Sequence, residues 1–194
     1  MGNRRLSRKR LFQVEKAGQT VDLESGAGIK DCIKSASQHR NGQEIITEIA
    51  IDLAPSGGHT ILDGTTATNA IGKAAGSCAI TQLTEAKFGI ITEIRFVCVE
   101  APQNGGAFGV DFEYGAAGVT QGAAPGTSAV TDLGVVGEDK SDLLDDYDGD
   151  LDQAGTAKSL YICAATSDGT PSGATMTSGK FLVYIHGFEA PADL

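Results

Sequence analysis

Ile45-Ile46-Thr47-Glu48-Ile49-Ala50-Ile51-Asp52-Leu53 is the stretch that decides the fold class of this 194-residue chain. Ile45, Thr47, Ile49, Ile51 and Leu53 alternate there with Ile46, Glu48, Ala50 and Asp52. A period of two sends successive side chains to opposite faces of an extended backbone, so the stretch reads as a half-buried β-strand. The alternation returns at Ile90, Thr92, Ile94, Phe96 and Cys98, and again at Phe108, Val110, Phe112 and Tyr114. Leu160-Tyr161-Ile162-Cys163-Ala164 is a shorter candidate, residues 78–83 (CAITQL) another, and Lys180-Phe181-Leu182-Val183-Tyr184-Ile185-His186 closes the set.

The connections agree with this reading. Pro55-Ser56-Gly57-Gly58 and Gln103-Asn104-Gly105-Gly106 are turn sequences between candidate strands. Glycine is abundant at 26 residues, against about 14 expected at the usual ~7%. Without a three-residue period this excludes collagen and points to many tight turns. The pattern predicts an all-β protein, a single jelly-roll-like β-sandwich. No strong helical pattern separates the strands, which argues against a parallel α/β fold. One short helix is expected where Ile29, Cys32, Ile33 and Ala36 fall at helical spacing. The pentapeptide Ile-Ile-Thr-Glu-Ile occurs at 45–49 and 90–94; two copies fall short of a repeat array, and the echo reads as chance.

Charge divides the chain in two. Net charge is -10, yet the first ten residues hold Arg4, Arg5, Arg8, Lys9 and Arg10 and no acid. Setting those five aside leaves ten bases against 25 acids, so residues 11–194 carry -15. An acidic body argues against nucleic-acid binding, which draws its affinity from neutralised phosphates. Residues 1–25 therefore read as an extended basic N-terminal arm, and 26–194 as the β-sandwich domain. Arg4, Arg5, Arg8, Lys9 and Arg10 are the candidate partner-binding residues. The basic start runs into Leu11-Phe12-Gln13-Val14-Glu15, not into a signal-peptide apolar core, and no run approaches the ~20 apolar residues of a membrane span.

Chemistry-bearing motifs are sparse. Cys32, Cys78, Cys98 and Cys163 are widely spaced with no CxxC, and read as buried free thiols. His39, His59 and His186 show no zinc spacing. No nucleophile elbow, P-loop or dinucleotide fingerprint is present, so neither an enzyme nor a cofactor is expected. Asp146, Asp148, Gly149 and Asp152 share a spacing seen in calcium loops. The EF-hand order is not met there, and residues 138–152 hold eight acids against Lys140. An exposed or interfacial acidic loop is the expected reading, with no metal.

The segments MGNRRLSRKRL at the start, NGQEIITEIAIDL (41–53), FGIITEIRFVCVEAP (88–102) and TSGKFLVYIHGF (177–188) together resemble virion structural proteins of tailed bacteriophages, notably those of marine and cyanobacterial phages. The resemblance covers about a quarter of the chain and carries no catalytic residue. It implies a capsid decoration or cement protein that adds buried interface across the shell, located in the virion and made in the host bacterial cytoplasm. The implied partners are the major capsid protein and copies of the chain itself, with a trimer favoured because closed symmetric contacts are the norm. No membrane or small-molecule substrate enters that role. A tail or head–tail junction component is the alternative, and a secreted calcium-dependent ligand-binding β-sandwich is the rival from another class.

Overall fold

A computed structural model of the chain describes residues 19–57, 59–64, 70–73, 78–105, 108–116, 130–136, 158–164 and 172–189. In chain order the strands are β1 (Gln19–Thr20), β2 (Ile33–Asn41), β3 (Glu44–Asp52), β4 (Ala79–Leu83), β5 (Ile90–Gln103), β6 (Val110–Ala116), β7 (Val130–Val136), β8 (Lys158–Ala164) and β9 (Ser178–Phe188). A four-residue helix, α1 (Glu85–Phe88), leads into β5. The protein is mostly β. One sheet has the order β1-β2-β3-β9-β5 and the other β4-β8-β6-β7, and their pairings are antiparallel.

The sheets pack face to face over one apolar core. Alternation in β3 buries Ile45, Thr47, Ile49 and Ile51, and β9 sends Phe181, Val183 and Ile185 to the same side. Phe112 of β6 meets them from the second sheet. Its ring stacks on Phe96 of β5 with centroids 4.2 Å apart and meets Phe181 edge-on at 5.5 Å. Offset-stacked and edge-to-face pairs of this kind add stability beyond their buried area. At one end α1 presses directly on β9. A Cβ at Gly187 would collide with the carbonyl of Phe88, so only glycine lets the two backbones approach.

Every expected strand forms, and β5, β8 and β9 run longer than the apolar alternation alone indicated. The helix expected over 29–36 does not. Lys30–Cys32 is a single 3-10 turn, and the chain extends from Ile33 into β2. Ile29, Cys32 and Ala36 are buried as the stripe required. A stripe this short cannot repay helix nucleation, and Ser35 and Ser37 are weak helix formers. Pairing with β3, from Ser35↔Ala50 to Asn41↔Glu44, satisfies the backbone instead.

The described end of the expected arm is part of the fold. Gln19 and Thr20 pair with Gln38 and Ser37, and Leu23 is buried in the core. Ser25 Oγ donates to the carbonyl of Ile80 at 2.6 Å. Within 1–25, therefore, only residues 1–18 remain as a candidate arm, and they lie outside the described residues.

Candidate functional site

Arg4, Arg5, Arg8, Lys9 and Arg10 fall outside the described residues, as do Asp146, Asp148, Gly149 and Asp152 of the acidic stretch. Candidate chemistry elsewhere sits in three places: a buried thiol–carboxylate group, a carboxylate that gathers loops, and the outer face of the five-stranded sheet.

The thiol–carboxylate group lies on β6 and β8. Phe112 and its partner Ile162 point into the core, so their neighbours Asp111, Glu113, Tyr161 and Cys163 point to the opposite side of the sheet. They are nevertheless buried. The thiols of Cys78 and Cys163 lie 3.9 Å apart, and Cys163 Sγ donates to Glu113 Oε2 at 3.6 Å. The hydrogen bond with Cys78, burial, and the Glu113 and Asp111 carboxylates push the Cys163 thiol well above its ordinary range. Burial pushes Cys32 up to about 12. All four cysteines are buried, and none of them forms a disulfide.

Such thiols are poor nucleophiles, because the thiolate is the reactive species. The native protein is therefore expected to react with none of its four thiols in a disulfide-exchange assay near neutral pH, and with all four in denaturant. A folded pKa above the unfolded one stabilises the protein in full below the unfolded thiol's 9.0. That contribution is lost as pH climbs towards about 12, where Cys32 itself titrates, so the melting temperature should fall through this window. Rapid labelling of even one native thiol would contradict this packing.

The loop-gathering carboxylate is Asp63, which is fully buried. Asn104 Nδ2 donates to its Oδ2 at 2.8 Å, and the backbone N–H and hydroxyl of Ser172 donate to the same oxygen at 3.2 and 3.3 Å. Gly173 N–H donates to Oδ1 at 2.9 Å. Four donors saturate this group, which makes it a structural anchor. Nearer the surface, Asp31 joins the loops before β4. It takes an ion pair from Lys73 and lies 3.1 Å from His59 Nδ1. The Lys73 hydrogen bond holds its carboxyl below the ordinary range.

Histidines are dispersed. His39 of β2 and His186 of β9 both pair with Ile46 of β3, placing them in one row on the outer face of the larger sheet. Among the described residues no three His, Cys, Asp or Glu side chains gather to hold a metal ion, and no helix is long and apolar enough to cross a membrane.

That outer face is the largest feature the sequence did not single out. Cross-strand register sets its rows: Glu44–Phe188–Ile90, Ile46–His186–Glu93, Glu48–Tyr184–Arg95, Ala50–Leu182–Val97 and Asp52–Lys180–Glu100. Phe188 and Ile90 are exposed at 45% and 46%, while Ile46, Leu182 and Val97 are half-buried. Burial and a hydrogen bond with Glu48 raise the Tyr184 hydroxyl's pKa. Lys180 is tied to Glu100 by an ion pair. Apolar side chains and carboxylates are thus interspersed across this face.

Comparison with protein-family models, curated proteins and solved structures finds no match for this chain.

Proposed function

We propose that this chain is a capsid decoration or cement subunit of a tailed-phage virion, a jelly-roll sandwich that stabilises the shell mechanically and performs no catalysis. One observation carries the reading: the nesting of strand pairs. A rolled antiparallel ribbon pairs its first strand with its last and its second with its next-to-last. Here β3 pairs with β9, β4 with β8, and β6 with β7. Among the described residues β5 pairs with β9 alone. Jelly rolls serve viral shells as well as lectins and cupins. The segregated charge favours the first, since a basic arm of residues 1–18 on an acidic body suits subunits that grip their neighbours.

Its partners are then the major capsid protein and further copies of itself. Interfaces of about 1,600 Å² are tight without covalent chemistry when their apolar centres are well packed. Shells purified without the subunit provide the test. Full-length protein should bind them saturably and raise their heat resistance. A chain lacking residues 1–18 should keep its melting transition yet bind more weakly, and alanine at Arg4, Arg5, Arg8, Lys9 and Arg10 should reproduce most of the loss. The truncation stops at 18 because removing 19–25 would also remove β1 and Leu23 from the fold. Full-length protein that ignores the shells would overturn the proposal.

A further inference from the structure

The outer face of the five-stranded sheet and the basic first residues are complementary in charge. Glu44, Glu48 and Asp52 of β3 and Glu93 and Glu100 of β5 look outward, against Arg95 and Lys180. Residues 1–10 bring five bases and no acid, with Leu6 between them and Leu11 directly after. Ile46 and, two rows further along, Leu182 and Val97 lie among these carboxylates and give those leucines apolar surface to pack on.

We infer that this face is the docking surface for residues 4–11 of a second copy of the chain. Path and direction select a second copy over the chain's own arm. Gln19 pairs with Gln38 and Thr20 with Ser37, so tracing the chain backwards from Thr20 to Gln19 runs towards the Asn41 end of β2. The chain thus enters the fold from the end of the sheet, not from across its face. Residues 12–18, between the docking segment and the fold, reach at most ~25 Å when extended. The five-stranded sheet is about 19 Å wide at ~4.8 Å per strand, so length alone permits either copy. Docking on its own face would require the arm to double back over the Asn41-Gly42 turn; docking on a neighbour requires no reversal. Exchange of arms between copies closes a symmetric oligomer. The inference rests on reading residues 1–18 as a docking arm, but not on where in a virion the protein sits.

A peptide of residues 1–18, titrated into protein lacking those residues, tests it without capsids. Binding should saturate at one peptide per chain and weaken steeply with salt, because exposed charge pairs are screened. Glu44→Gln, Glu48→Gln and Glu93→Gln combined should weaken it by about tenfold, at the usual strength of exposed pairs. Should that variant melt early, the salt series on the unsubstituted protein still decides whether the contact is electrostatic. Full-length protein should sediment as an oligomer at low salt and the truncated chain as a monomer. A peptide that does not bind overturns the inference outright, and so does binding unaffected by both salt and the three substitutions. Saturable binding by a full-length chain that stays monomeric would assign the face to the chain's own arm and overturn the exchange. Loss of shell binding on truncation, with no peptide binding to this face, would leave the proposed function standing and send the arm to the shell.

Discussion

Ile94→Asp is expected to abolish the cooperative thermal transition of this domain. Ile94 is fully buried on β5, between Ile91 and Phe96, and belongs to the core that both sheets share. Replacing it removes an aliphatic side chain worth about 2–5 kcal/mol in a packed core. It also places a carboxyl where ionisation is costly, adding several kcal/mol in order of magnitude. Together these approach the whole stability of an ordinary domain, roughly 5–15 kcal/mol. Ile49→Asp on β3 should do the same, since Ile49 is equally buried. Val99→Asp supplies the contrast: on the same strand, but 51% exposed, it should stay within about 0.5 kcal/mol of the parent. Scanning calorimetry on the three variants decides it. An Ile94→Asp protein that melts like the parent would show that β5 presents the other face to the core.

That contrast depends on strand phase, and phase was only partly legible in the sequence. In β3 the strict alternation reads correctly, so that Ile45, Thr47 and Ile49 of the pentapeptide at 45–49 all face inward. The same pentapeptide at 90–94 presents Ile91 and Ile94 instead, and leaves Ile90 exposed. The reason is the register shift between Ile91 and Glu93, where β5 bulges against β9. A bulge inserts one residue and flips everything after it to the other face. Nothing in five identical letters announces it. β7 was missed for a related reason, because Asp132 and Gly134 interrupt its apolar pattern while its backbone pairs along β6. β2 was hidden behind a helical spacing too short to form a helix, and its true partner, β3, was the best-read strand in the chain.

The outer face of the larger sheet was less legible still. Its charges were visible as composition, but gathering Glu44, Glu48 and Glu93 on one face requires the order β3-β9-β5. Two of those strands are adjacent in neither sequence nor sheet, and β9, the last strand of the chain, lies between them. Long-range pairing of this kind leaves no local signature. The basic segment, by contrast, was plain, because charge clustering along the chain needs no fold to be seen.

Asp63→Ala is expected to be the most damaging polar substitution in the described residues. Its carboxylate collects Asn104 from the end of β5 and both Ser172 and Gly173 from the approach to β9. The same junction is stitched by backbone bonds, Asp63 N–H to Ala174 at 2.9 Å and Met176 N–H to Ile61 at 2.8 Å. These contacts fix where β9 begins, and β9 pairs with both β3 and β5. Alanine leaves four donors, on Asn104, Ser172 and Gly173, without their carboxylate acceptor. Ser172 and Gly173 are exposed and can turn to water, so each donor should cost near the low end of about 1–3 kcal/mol, for a loss of about 3–5 kcal/mol in all. For a chain of this size that lowers the melting temperature on the order of 10 °C. Asp63→Asn keeps one acceptor oxygen but turns an NH₂ towards a donor, so it should fall between the two. Asn104→Ala alone should cost less, and it should cost almost nothing further once Asp63 is alanine, because contacting partners couple. Urea titration of the single and double variants measures that coupling. An Asp63→Ala protein within about 1 kcal/mol of the parent would mean that water replaces the carboxylate, and that the junction is held by its backbone bonds alone.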